Sequence, residues 1–571
     1  MKRIISVSAA LLFLKTFAFA VSFHSEGKES IVPPGIYDEL YDDGRANLAV
    51  VLDEFGMVGG VGDGVVINYE GADRLTEING IRFYNKRSTL TDIGDVYADI
   101  TMKFTANSSG TLSGLFFRKA SQAEGKSIFV DKIDVFTQNG SDSANAVGIN
   151  NWASSTVGDI IGRSEGSFIR AVTNGGNQSY GIWNQVGSKI GSISNLKITA
   201  SGGTSKTCAI MNDANGSTIG DISDVVLEAK DSVYAYGIYT KGTIGNLDNV
   251  KIETSTISVE AGVISDSYGI YSYGGVIGDV SNLTINMEGK RSFGISSDRI
   301  GDISGATINV NADMSYGITS YDIGNISDSS INVVGVNDAR AVWIDGAESL
   351  KLELSNVKIT AQLDDFGTCV GVYFSNLDNP GSDNSNLLIL KNSTSISVSA
   401  SSGWTYEYAI ANEGGGTFTI KGDSTTHTFD GDIASKGNLI FDGHFKLLNC
   451  KIEAMSGMEI TAGSSLEWTD KLVVEGDVTI DDSAILNIYL SSIGLDEYLA
   501  LESDASITLS GEIDLNVYDQ GGQLFEDWKY ELRHGEGGDQ LWITAAVPEP
   551  ATYAAIFGAL ALAFAAYRRR K

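Results

Sequence analysis

The sequence predicts an all-β chain wound as a right-handed parallel β-helix, and three observations carry that prediction. The first is a repeated phrase: a small or aromatic residue (Arg340 once), then Gly or Ala, then Ile or Val. It recurs as Val147-Gly148-Ile149, Tyr180-Gly181-Ile182, Cys208-Ala209-Ile210, Tyr236-Gly237-Ile238, Tyr268-Gly269-Ile270, Phe293-Gly294-Ile295, Tyr316-Gly317-Ile318 and Arg340-Ala341-Val342. Successive anchors are 33, 28, 28, 32, 25, 23 and 24 residues apart, the spacing of solenoid or propeller repeats. The second is that each period holds two further β phrases, such as Ile219-Gly220-Asp221-Ile222 and Val250-Lys251-Ile252-Glu253. Three strands per period, without the paired hairpins of a propeller blade, suit parallel winding, with Ile and Val of successive turns stacked about 4.8 Å apart. The third is proline. The five prolines are Pro33, Pro34, Pro380, Pro548 and Pro550, so none interrupts the span in which each strand must donate its N–H groups.

The N-terminus reads as a secretory signal over residues 1–20. Lys2 and Arg3 precede an apolar run from Ile4 to Leu14, and Ala18-Phe19-Ala20 offers a cleavage site after Ala20. Passage through the Sec translocon follows from that reading. Residues 21–73, with Pro33-Pro34-Gly35 and the Asp42-Asp43 pair, suggest a lead-in and a cap over the first turn, because an open β edge invites aggregation. Residues 74–416 are assigned to the β-helix, with the clearest repeats over 147–345. Residues 417–546 change to longer β phrases such as Leu472-Val473-Val474 and Ala484-Ile485-Leu486, and Trp528 to Ile543 alternates around a turn at Gly535 to Asp539 as a capping hairpin would. In texture this stretch resembles the autotransporter passenger domains and related bacterial surface β-helices.

The last segment, 547–571, is the most specific. Val547-Pro548-Glu549-Pro550 precedes the apolar stretch Ala551 to Tyr567 and then Arg568-Arg569-Arg570-Lys571, a short single transmembrane helix with a basic cytoplasmic end. This arrangement resembles the PEP-CTERM sorting signal. Pro548, Glu549 and Pro550 match its motif, and Arg568, Arg569 and Arg570 its basic end. The resemblance implies that an exosortase-type transpeptidase removes the tail. The protein would pass transiently through the inner membrane of a Gram-negative-type bacterium to the cell surface or extracellular matrix.

Composition excludes some partners. The net charge of −32 argues against nucleic acid and anionic membrane surfaces. Cys208, Cys369 and Cys450 are too few and scattered for a disulfide framework, and they are expected to be unpaired, mostly buried thiols. The four histidines, His24, His427, His444 and His534, all lie outside the clear repeats, so no general base is at hand there. The pairs Asp42-Asp43, Asp364-Asp365 and Asp481-Asp482 sit in no recognisable catalytic phrase. No catalytic residue and no metal site is assigned.

Two rows are candidate binding features. Asp159, Ser192, Asp221, Asn246, Asp279, Asp302 and Asn325 follow the glycine of the second phrase. A hard cation such as Ca2+ would relieve stacked carboxylates, but these residue types also make tight turns, and the turn reading is the stronger; no cofactor is expected. The second row is aromatic. Alternation about Gly-Ile is read as placing Tyr236 and Tyr239, and Tyr268 and Tyr271, on one outward face, where they could stack on sugar rings or on one another. The sequence therefore reads as an exported, non-enzymatic surface or matrix adhesin of the kind found in biofilms, contacting exopolysaccharide. The rival is a β-helix polysaccharide lyase or glycoside hydrolase, which would need an acidic cluster and a basic partner in one groove.

Overall fold

The computed structural model describes residues 60–71, 77–84, 92–104, 110–122, 125–138, 144–257, 265–346, 348–375, 384–401, 406–491, 497–525 and 528–545, with strand backbone at Phe23–Glu26, Ile31–Val32, Gly35–Tyr37, Tyr41–Asp42 and Asn47–Asp53. The signal segment with Ala18 and Ala20 lies outside the described residues. So do Pro548, Glu549, Pro550, Arg569 and Arg570; of the tail only Ala559, Leu560 and Arg568 are described. Among the described residues no helix is long and apolar enough to cross a membrane.

The described chain is nearly all β, and its strands pair overwhelmingly in parallel. It divides into two compact units, 1–378 with 394–408, and 379–393 with 409–571. In the first unit each strand lies beside its counterpart one period later. Lys206–Asn212 runs between Gln178–Asn184 and Tyr234–Thr240, which brings Ile182, Ile210 and Ile238 into register. The second phrase aligns Ile190, Ile219 and Ile244, and the third aligns Ile198, Leu227 and Ile252. All nine side chains are buried. No single repeat could cover that apolar face alone, so burial comes from stacking. In Thr284–Ile300, Thr307–Ile323 and Ser330–Asp345 the third phrase runs into the next first phrase as one strand.

Parallel pairing also reaches into the segment read as a lead-in. Phe23–Glu26 pairs with Asn47–Asp53, which pairs with Glu77–Tyr84. Stacking thus begins well before residue 74. Within the expected cap only Tyr41–Asp42 is described as antiparallel, against Asn47 and Leu48.

One row of corners was not singled out in the sequence. Asn195, Asp224, Asn249, Asn282, Gly305, Asp328 and Asn356 all have positive φ, between 49° and 62°. Asn, Asp and Gly are the residues that enter this left-handed region at least cost. A β-branched residue at any of these corners would be strained.

The second unit is built from shorter strands. Phe418, Leu439, Met458, Val478 and Ile507 align across five of them. Its last elements are antiparallel: Trp528–Gly535 and Gly538–Ala545 form the expected hairpin, and the latter pairs with Glu497–Ser503.

The three cysteines are free; Cys208 and Cys369 are buried and Cys450 is half-buried. Burial pushes all three thiols up, that of Cys369 to about 12. Thiolate is the reactive species, so native protein at mildly alkaline pH should react slowly with Ellman's reagent, whereas denatured protein should give three equivalents at once. Fast reaction of Cys208 in the native state would contradict this packing.

Candidate functional site

The aromatic row is formed by the first strand of each period. Register places Tyr180, Cys208, Tyr236, Tyr268, Phe293, Tyr316 and Arg340 in one line, and Trp183, Met211, Tyr239, Tyr271, Ser296, Thr319 and Trp343 in a second. Residues three apart on a regular strand point to opposite faces. Here both lines share one side, with rings 4.6 Å apart in Tyr180–Trp183, 5.3 Å in Tyr236–Tyr239 and 4.7 Å in Tyr268–Tyr271. The shared side is as the sequence reading had it, but alternation is not the reason, and the side is largely covered rather than open. The glycine between them turns a corner against the core: a Cβ on Gly237 would sit 2.3 Å from Ile252 Cγ2 and 2.6 Å from Gly269 O.

The rings are spent on one another. Tyr236 lies on Tyr268 with centroids 5.1 Å apart, Tyr268 on Phe293 at 4.9 Å and Phe293 on Tyr316 at 4.6 Å, all within 12° of parallel. Tyr236 and Tyr239 keep only 7% and 8% of their surface exposed, and Tyr268 and Tyr271 are partly buried against them. Stacking at strand spacing is the cross-strand aromatic pairing that stabilises sheets. Burial raises the phenol pKa of all four.

The arginines on this face are paired with carboxylates, and Lys206 lies over the Tyr236 and Tyr239 rings. Arg291 grips Asp266 through Nε and Nη2 at 2.8 and 2.6 Å. Asp338 accepts from Arg340 Nε at 3.1 Å and from Tyr316 Oη at 2.9 Å, and burial pushes its carboxyl up despite both. Arg340 covers Trp343 and Tyr373. Asp364 and Asp365 are exposed corner residues whose backbone N–H groups donate to the carbonyls of Gly335 and Val336.

The row after the second-phrase glycine is a hydrogen-bond ladder. Asp159 Oδ1 accepts from Ser192 N at 2.7 Å, Asp221 from Asn246 N at 2.7 Å, Asn246 from Asp279 N at 2.9 Å, Asp279 from Asp302 N at 3.0 Å and Asp302 from Asn325 N at 2.7 Å. These five side chains each cap the corner of the next repeat, the service Asx side chains give a turn. The row lines an open trough of about 590 Å3. Among the described residues no three His, Cys, Asp or Glu side chains converge to hold a metal ion. Because Asn246 serves as well as its neighbouring aspartates, Asp302→Asn should leave exchange of the Asn325 amide unchanged. Asp302→Ala should speed it by about tenfold, as hydrogen exchange would measure.

A second ladder lies inside, and sequence reading missed it. Asn151 Nδ2 donates to Asn184 Oδ1 at 2.9 Å, Asn184 Nδ2 to Asn212 Oδ1 at 2.8 Å and Asn212 Nδ2 to Thr240 Oγ1 at 3.1 Å. All four residues are fully buried. The available signal was polar residues recurring at one register position, immediately after Trp183, Met211 and Tyr239.

Compared with known protein families and with characterised proteins, the chain matches no family and no individual sequence.

Proposed function

We propose that this is an exported, non-enzymatic protein of the cell surface or extracellular matrix, built as a right-handed parallel β-helix that adheres to exopolysaccharide. The observation that carries the reading is repetition. Parallel register presents the same class of outward side chain again at every strand spacing, which is the arrangement for many weak contacts acting together. The sequence supports the route: a signal segment ending at Ala20 for the Sec translocon, then Pro548-Glu549-Pro550 and the basic end Arg568 to Arg570 for an exosortase-type transpeptidase. Asp159, Asp221, Asp279 and Asp302 cap backbone N–H groups, and Arg291 and Arg340 are held by aspartates, which supports structural roles for both sets. The test is to incubate the protein with bacterial and plant polysaccharides and follow retention and new reducing ends together. Retention without new ends is expected. New ends or unsaturated products would replace this reading with a lyase or hydrolase, and absence of retention would end the adhesive reading.

A further inference from the structure

We propose that the docking face for polysaccharide is the outward side of the third phrase over three consecutive repeats, and that its occupant is an uncharged glycan chain; this rests on the adhesive reading above. Thr284, Thr307 and Ser330 stand in one line and Asn286, Asn309 and Asn332 in a parallel line, without a register break. The intervening Ile285, Ile308 and Ile331 are buried, so alternation turns both polar lines outward, where they are at least partly exposed. Asn309 Nδ2 donates to Asn286 Oδ1 at 2.9 Å. That bond fixes both amides and leaves Asn286 Nδ2 as a donor and Asn309 Oδ1 as an acceptor for a ligand. Beside them lies an open trough of about 450 Å3, lined in part by Thr254, Asn286, Met287, Asn309 and Asn311.

Charge identifies the occupant. In the preceding repeats the same two lines carry Lys197, Glu228, Lys251 and Glu253, closed on one another at 2.8 Å in Lys197–Glu228 and Lys251–Glu253. In the following repeat Lys358 takes the first position. Between them the two lines themselves carry no charge from Thr284 to Asn332, in a chain of net charge −32. A polyanion would meet Glu253 and Glu288 at the trough, where Lys230 is already held by Glu253 at 3.4 Å. A peptide would want apolar pockets, and the trough's Met287 is only 3% exposed. A chain of neutral sugars instead presents hydroxyls that both donate and accept, which carboxamides and hydroxyls match at every step of about 4.8 Å. Each such exchange with water gains little, so affinity must come from repetition. The tyrosine face lacks this provision, because its ring faces are already covered.

Affinity electrophoresis of the full chain through gels holding a β-glucan, a galactomannan or alginate tests the proposal. Retardation by a neutral polymer and not by alginate is expected. Asn286→Asp with Asn309→Asp should weaken that retardation by at least about tenfold, and so should Thr307→Lys, an independent change at an exposed position that serves if the double variant melts early. Tyr271→Ala should leave it unchanged. Wild-type retardation that survives both face variants overturns this face while the adhesive reading stands. Preference for alginate overturns the uncharged occupant. No retardation of the wild type by any polymer overturns both.

Discussion

Replacing Asn184 by leucine is expected to lower the unfolding free energy of the first unit by about 4 kcal/mol. The side chain is fully buried and sits at the centre of the internal ladder. Its Oδ1 accepts from Asn151, and its Nδ2 donates to Asn212 Oδ1, Ser188 O and Thr218 O at 2.8, 3.1 and 3.1 Å. Leucine has similar size and removes all four bonds. It thereby takes the partner from Asn212 Oδ1 and from one N–H of Asn151, although Asn151 Nδ2 keeps Lys189 O at 2.9 Å and Ser188 O keeps Thr218 N at 3.0 Å; each buried group left unpaired costs about 1–3 kcal/mol when no water can reach it. These costs do not simply add, because the repeats on either side can relax. Asn184→Ser, which keeps a hydroxyl but cannot span to both neighbours, should fall between. Urea unfolding followed by tryptophan fluorescence provides the measurement, with Trp183 as a neighbouring reporter. A loss under about 1 kcal/mol for the leucine variant would mean that the ladder is dispensable.

The second unit should lose stability as the solution is acidified through the histidine range. His427 is fully buried beside Phe445, and its only close polar neighbour among the described residues is Asp423. Asp423 Oδ1 lies 3.2 Å from Nε2, near enough to attract a charged ring. Desolvation outweighs that attraction, His444 adds repulsion, and the folded-state pKa falls below its ordinary value. Between the folded pKa and the unfolded value of about 6.5, the unfolded chain binds a proton that the folded chain refuses. The contribution is therefore fully present above pH 6.5 and is lost on acidification, by about 1.4 kcal/mol for each unit of depression. Carboxylates titrate lower and blur the far end of the curve. The comparison is thus the slope of urea midpoint against pH in wild type and in His427→Phe, and the variant should be flatter between pH 7.5 and 5.5. Equal slopes would remove His427 as the cause.

Much of the architecture was legible because the core imposes it. Ile182, Ile210, Ile238 and Ile270 had to recur for each turn to bury its face, and the intervals between their phrases are the intervals by which the strands pair. The capping hairpin was legible for a similar reason, since Trp528 to Ile543 alternates about a glycine-rich turn. The ladders were harder to see. Asn184 and Asn212 belong to a residue type that ordinarily marks loops, and only stacking partners above and below make a buried amide tolerable. The left-handed corners hid among Ser, Asn, Asp and Gly, all of which read alike as turn formers. The tyrosines were placed on the correct side by an argument that omitted the corner at the glycine. Their mutual stacking was the stronger of the two sequence readings, because strand spacing brings like rings of successive repeats into contact.

The uniform interval between Thr284, Thr307 and Ser330 has a bearing on how such a chain can change in length. Excising residues 307–329 would bring Thr284 opposite Ser330, Ile285 opposite Ile331 and Asn286 opposite Asn332, each meeting the kind of neighbour it already has. Duplicating the same segment would be equally neutral. Loss or gain of such a 23-residue step therefore yields longer or shorter proteins that remain in register, and the glycan-facing window would lengthen or shorten by whole steps.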